Sequence, residues 1–224
     1  MENNQRSEEW FKQREGRFTA SEIHKLMGIK SLGETGKTYA FEKAIEQLYG
    51  QIDENFESYD MQRGTEQEPL AFEKFKSIMA LSFVNVENCG FFPLGDHAGA
   101  SPDGLVGSDG VLEIKCPKSK AFFKMVSENE FDKNYFYQMQ FQMLCTNRIV
   151  ATLFFYLIHD GSEYYHKIEI QRDEACISLM KERIKEAIEI KEDYIKKIQS
   201  NKQWTSDVDE IKVFDPTTIS NEEF

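Results

Sequence analysis

Apolar residues recur at helical spacing in several stretches of this chain and alternate or run together in others, and the change of period divides it. Residues 38–50 place Tyr39, Phe41, Ala44, Ile45 and Leu48 at helical intervals, and residues 60–81 do the same with Leu70, Phe72, Phe75, Ile78 and Met79. Residues 173–200 form the longest stripe, through Ile177, Met180, Ile184, Ala187, Ile188, Tyr194 and Ile198, with Lys and Glu outside it. Shorter helices are predicted at 7–15, where Ser7 is the N-cap and Gly16 the stop, at 19–27, at 121–126 and at 134–146. Residues 30–37 read as a loop. Pro69 fits the first turn of a helix better than its interior, so a start or kink is expected near Glu68.

The strand signals sit between these helices. Residues 149–158 are almost continuously apolar and predict a central strand, which Asp160-Gly161 turns into an alternating strand at 164–170. Short strands are expected at 83–86 and 90–93. Residues 101–117 read as a β-hairpin, Leu105-Val106 leading into the turn Gly107-Ser108-Asp109-Gly110 and Val111-Leu112-Glu113-Ile114-Lys115 leaving it. Helices, a short mixed sheet and further helices predict a single α/β domain over residues 1–224, its core at about 60–200, with a tail at about 201–224 that orders only by packing or on a partner.

The hairpin changes the picture from fold to chemistry. Glu113 and Lys115 are two apart on one strand and share a face, with Leu112 and Ile114 on the other. Asp103 comes opposite Glu113 across the hairpin. Two carboxylates this close repel unless a cation joins them, and hard oxygen donors suit Mg²⁺ or Mn²⁺. A lysine beside such a metal can orient or deprotonate an attacking water. The alternative is an exposed hairpin with a surface Glu–Lys pair. Gln138 and Gln142 share a helix face that could position water near this site, or face solvent instead, and Gln140 lies on another. Near the N-terminus, the hydroxyls Thr19 and Ser21 at a helix start with Arg14 just upstream suit an anion; the alternative is a cap and a surface arginine.

Composition narrows the class. No apolar run approaches the length of a membrane span and no signal peptide opens the sequence, so a cytoplasmic protein is expected. Cys89, Cys116, Cys145 and Cys176 stand singly and read as reduced core thiols rather than a zinc or iron–sulfur set. The net charge of −12 argues against a nucleic-acid partner at first sight. Its distribution tempers that: Lys12, Arg14, Arg17, Lys25, Lys30 and Lys37 outnumber Glu15, Glu22 and Glu34 in the N-terminal part, and Lys115, Lys118, Lys120 and Lys124 follow the hairpin. DNA is then expected in a basic cleft on an otherwise acidic body.

Four separated motifs agree in order: Trp10-Phe-Lys-Gln-Arg14-Glu-Gly16 with Thr19-Ala-Ser21; Gly64-Thr-Glu-Gln-Glu68-Pro-Leu-Ala71; Ser101-Pro-Asp103 with Glu113-Ile-Lys115-Cys-Pro; and Tyr135-Phe-Tyr-Gln138-Met-Gln140. In these the chain resembles phage lambda exonuclease and its relatives, the YqaJ-type viral recombinases, within the PD-(D/E)xK nucleases. The resemblance implies a restriction-endonuclease-like core and a 5′-to-3′ exonuclease on double-stranded DNA ends that leaves 3′ overhangs for recombination. It implies Glu68, Asp103, Glu113 and the Ile114 carbonyl as ligands of two Mg²⁺ ions, with Mn²⁺ as a substitute, Lys115 serving the water and Gln138 assisting. It further implies a 5′-phosphate pocket of Arg14, Ser21 and Ser101, an apolar wedge at Met61, a trimeric ring and a single-strand annealing partner, in a phage- or prophage-encoded protein of a bacterial cytoplasm. The competing readings are a restriction or repair endonuclease on the same core and a non-catalytic DNA-end-binding scaffold.

Overall fold

A computed structural model describes residues 5, 7–50, 59–128 and 130–200; the side chains of Tyr59 to Gln62 and the expected tail at 201–224 lie outside the described residues. In chain order the elements are α1 (Glu8–Arg14), β1 (Phe18–Thr19), a 3₁₀ segment (Ala20–Leu26), α2 (Gly33–Tyr49), α3 (Tyr59–Ala80), β2 (Val86–Glu87), β3 (Phe92–Leu94), β4 (Ala98–Ala100), β5 (Gly104–Val106), β6 (Gly110–Lys115), α4 (Ser119–Glu128), α5 (Lys133–Thr146), β7 (Val150–His159), β8 (Ser162–Gln171) and α6 (Glu174–Ser200).

The main sheet has the order β2-β5-β6-β7-β8. The β5–β6 hairpin is antiparallel, β6 and β7 run parallel, and β7–β8 is a long antiparallel pair. Alternation along the two central strands feeds two cores. Val111, Ala151, Leu153, Phe155 and Leu157 pack on Phe122 and Met125 of α4 and Met139 and Met143 of α5. Leu112, Ile114, Phe154 and Tyr156 pack on Ala71, Phe72 and Phe75 of α3. The sheet is therefore covered on both faces, which is why β7 reads as an unbroken apolar run.

A second layer stands beside it. β1, β4 and β3 form a small sheet, β1 and β4 parallel, and its Phe18, Ala98 and Ala100 share a core with Ile23, Leu26, Tyr39, Ala40, Phe141, Met180, Ile184 and Ala187. This places α2 and α6 against the N-terminal segment and brings residues 10–21 next to the main sheet.

Four local expectations are corrected. The segment at 19–27 is 3₁₀ rather than α-helical and receives no side-chain cap from Thr19. The expected loop at 30–37 is helical from Gly33, where α2 starts. α3 begins ten residues before Pro69 and runs through it, so Glu68 is mid-helix rather than at a boundary. The two-residue strand β1 and the small strand β4 were not anticipated, since Ala98-Gly99-Ala100 has almost no side chain with which to signal a strand. Gly99 is needed there: a Cβ would meet the Phe91 ring at 2.1 Å.

Candidate active site

The pairing Gly104–Leu112 continues so that Asp103 faces Glu113, and the Asp103 amide donates to the Leu112 carbonyl at 3.0 Å. Asp103 Oδ2 accepts from the Ile114 amide at 2.6 Å, which fixes its carboxylate at the end of β6. Glu113 projects to the α5 side of the sheet and is buried at 3% exposure, so the surface Glu–Lys alternative does not hold. Its Oε1 accepts from Gln138 Nε2 at 2.6 Å and from Lys115 Nζ at 2.7 Å, and its Oε2 accepts from Gln142 Nε2. The glutamines of α5 are thus not solvent-facing. Gln138 and Gln142, four apart, clamp the two oxygens of one carboxylate, and Gln140, on another side, donates to the Gln171 carbonyl and accepts from the Asp173 amide.

The charges in this cluster shape one another. Burial raises the Asp103 carboxyl well above its ordinary value, and the charges of Glu113 and then Glu68 push the same way, against Lys115 and the Ile114 amide. For Lys115, burial favours the neutral amine, but the Glu113 charge and hydrogen bond and the Asp103 charge outweigh it and its pKa is raised. Lys115 is therefore held as an ammonium, poised over the Tyr135 ring at 4.9 Å.

Glu68, Asp103 and Ile114 line one cavity of about 330 Å³ together with Gln5, Pro69, Phe72, Glu73, Asn88 and Cys89. Among the described residues no three Asp, Glu, His or Cys side chains already form a closed metal cage. The donor chemistry nonetheless fits a hard divalent cation: the two acids Glu68 and Asp103 line one opening with Ile114, and the repulsion that raises Asp103 is what such a cation relieves. Cys89 and Cys116 are near this cluster, and burial pushes both thiols up to about 12, so both rest as neutral thiols.

The N-terminal residues form a second opening of about 510 Å³, lined by Trp10, Phe11, Lys12, Arg14, Glu15, Thr19, Ser21, Glu22, Lys43 and Glu46. Arg14 and Ser21 are brought together here. Ser101 joins through Trp10, whose indole Nε1 donates to Ser101 Oγ at 2.9 Å while the Arg14 guanidinium stacks on its ring at 4.1 Å. Burial lowers the Arg14 pKa, and Tyr39, Glu22, Glu46 and Glu113 raise it; an arginine keeps its charge regardless. Glu113 is the smallest of these influences, which puts Arg14 within electrostatic reach of the buried carboxylate. The basic excess expected of the N-terminal part is offset by pairing: Lys25 with Glu22, Lys37 with Glu34 and Lys43 with Glu46. Trp10 and Lys43 were not among the expected site residues, and Gln142 was expected only as one of two alternatives, beside the site or facing solvent. The signal for Gln142 was its spacing from Gln138, and for Trp10 its place at the head of the first motif. Met61 stands in the first turn of α3, but its side chain is among those not described.

The alkaline exonuclease LHK-Exo of Laribacter hongkongensis is 29% identical, with a TM-score of 0.76 over 89% of this chain and 100% of its own; it is also known in complex with dAMP. The phage-related exonuclease of Haemophilus somnus 129PT is 20% identical and shares the fold, with a TM-score of 0.61 over 85% of this chain and 98% of its own. The fold is thus the restriction-endonuclease-like α/β class expected from the motifs. Curated protein sequences return no significant match. The profile of the YqaJ-like viral recombinase domain matches residues 9–149, which include α1, the hairpin and α5, and the chain belongs to that family.

Proposed function

We propose that this protein is a metal-dependent exonuclease that digests one strand of double-stranded DNA from a 5′ end and leaves a 3′ overhang for recombination. The observation that carries this reading is Glu113 held from three sides by Gln138, Gln142 and Lys115, directly beside Asp103 and in the field of Arg14. Glu68, Asp103, Glu113 and the Ile114 carbonyl would hold Mg²⁺, with Mn²⁺ as a substitute and two ions per site. Bound there, the divalent cations supply neutralisation of the phosphodiester, a lowered pKa for water and stabilisation of the leaving 3′-oxygen.

The chain's own residues do the rest. Gln138 and Gln142 present the Glu113 carboxylate in one orientation and spare it a rotameric search. The Lys115 ammonium, pinned by Glu113, orients a water or the scissile phosphate as a donor rather than serving as a base. Arg14, Ser21 and Ser101, joined by Trp10, grip a terminal 5′-phosphate and so decide which bond lies over the acidic cluster. The protein acts in the cytoplasm of a bacterial host on duplex ends, as a homotrimeric ring with a single-strand annealing protein as its partner. Among the described residues no helix is long and apolar enough to cross a membrane.

The test is digestion of linear duplex labelled at one or the other end, with Mg²⁺ and with chelator, alongside a covalently closed circle. Shortening of the 5′-ended strand only, on linear substrate only and only with metal, is expected. Nicking of the closed circle would assign an endonuclease. In the same assay Lys115→Ala should lose more than about a hundredfold in rate while retaining end binding, since electrostatic groups at the reacting phosphate contribute on that scale; full activity in that variant sinks the site.

A further inference from the structure

We infer that Lys191 of α6 is a positioning residue for the end-binding pocket, holding the turn between Arg14 and Ser21 by a buried charge and so setting discrimination between 5′-phosphate and 5′-hydroxyl ends. The inference rests on the pocket assignment above and deepens it. Lys191 is fully buried, and its Nζ donates to the Gly16 carbonyl, a contact across almost the whole chain. Gly16 lies in the left-handed region, and Arg17 N donates back to the Arg14 carbonyl at 3.0 Å, so the turn that Lys191 grips is the one on which Arg14 stands. Downstream the same stretch is held by Phe18 N on the His97 carbonyl and Thr19 N on Tyr39 Oη, which leads directly to Ser21.

A lysine is an expensive way to hold a carbonyl in a core, because a buried ammonium without a carboxylate loses its hydration and gains little back. Among the described residues the polar atoms at hydrogen-bond distance from Lys191 Nζ are the Gly16 carbonyl and, at 3.5 Å, His97 Nδ1; the Phe18 ring lies at 5.8 Å. The charged or titratable groups that face it are Lys43 and Glu46 on α2, Arg17 on the turn, His97 ahead of β4 and Glu192 on its own helix, the last within 3.7 Å of His97. Lys43 and Glu46 also line the pocket. Burial, then Lys43 and Arg17, lower the Lys191 pKa to about 8, against Glu46 and Glu192. A positive charge kept there at neutral pH lies behind the anion pocket, where a bound phosphate rewards it.

The test measures kcat/KM on linear duplex with 5′-phosphate and 5′-hydroxyl ends for the full-length protein, Lys191→Met and Lys191→Arg, at pH from about 7, above the second ionisation of a phosphate monoester near 6, to about 9.5. In Lys191→Met the preference for phosphate should fall by about tenfold, the size of one lost charge-assisted contact, through KM, with 5′-hydroxyl ends cut at nearly the wild-type rate. In the wild type the preference should decline as pH rises through about 8, and in Lys191→Arg, which keeps its charge, it should hold steady. Equal losses on both ends in a folded Lys191→Met would mean a merely structural lysine and overturn the inference, as would an unchanged preference. If neither variant folds, the wild-type series decides: a flat preference across the range overturns it, a decline supports it. A wild type indifferent to the 5′-phosphate at every pH instead sinks the pocket assignment itself, and this inference with it.

Discussion

At the scale of single residues, Glu113 is the side chain whose surroundings matter most, and its partners differ in how they reach it. Lys115 comes from the same strand by simple alternation, whereas Gln138 and Gln142 come from a helix, four positions apart on one face. Gln142 is wholly buried, and among the described residues its Oε1 has no partner, so its side chain acts through the amide nitrogen that it gives to Glu113. Replacing Gln142 by Leu should leave the protein folded and lower kcat by about 10- to 100-fold, with a higher Mg²⁺ concentration needed for half-maximal rate, as is usual when a supporting residue behind a ligand is lost. A metal titration of the nuclease rate checks this. A variant with wild-type kcat and metal requirement would show that Gln138 and Lys115 suffice.

At the scale of elements, the site depends on two turns whose backbone geometry leaves little freedom. The hairpin turn is gripped by Arg148, whose guanidinium donates to the carbonyls of Val106, Gly107 and Gly110. The turn after α1 uses Gly16 at φ +65°, where a Cβ would come within 2.7 Å of Gln47 Cβ on α2. Gly16→Ala combines left-handed strain with a steric clash, and it should cost about 1–3 kcal/mol in unfolding free energy. Denaturant titration reads that cost, and the preference for 5′-phosphate ends should fall in the same variant because the turn carries Arg14. The helix α3 is the element that the sequence misleads about most. Pro69 suggested a boundary, yet packing of Ala71, Phe72 and Phe75 against the sheet holds the helix continuous through it. That continuity is what turns Glu68 toward the cavity.

At the scale of the whole molecule, α6 closes the N-terminal layer, and its one buried charge links global stability to pH. The Lys191 pKa lies at about 8 in the folded chain against an ordinary 10.5, so between these values the unfolded chain binds a proton that the native one has lost. Stability from this group is therefore fully present above about 10.5 and is lost as pH falls through about 8, a swing of about 1–3 kcal/mol after allowance for relaxation around the charge. Unfolding of wild type and Lys191→Met by denaturant between about pH 7.5 and 10 checks the sign. The difference, Lys191→Met minus wild type, should shrink with rising pH; a constant difference would show that Lys191 does not titrate in that window. Across the same molecule the expected basic cleft is not what the N-terminal opening presents, since Lys12, Arg14 and Lys43 line it against Glu15, Glu22 and Glu46.

Periodicity and turn chemistry are local properties, and they alone determined the hairpin, the central strand, the long C-terminal helix and the facing of Asp103 on Glu113, because a two-residue period and a glycine-rich turn leave few other registers. The motif spacing likewise determined the family. Tertiary structure decided the rest. It turned the Glu113–Lys115 face inward by laying α5 over it, which converted three glutamines of ambiguous exposure into buried amides with assigned partners. It also drew Trp10, Arg14, Ser21 and Ser101 into one neighbourhood and set Lys191 beneath them. No sequence pattern announces such meetings, since they join residues up to a whole chain apart and depend on how two sheets and their helices pack. The free energy of a buried amide or ammonium is set by the neighbours it finds there, and only the folded chain supplies them.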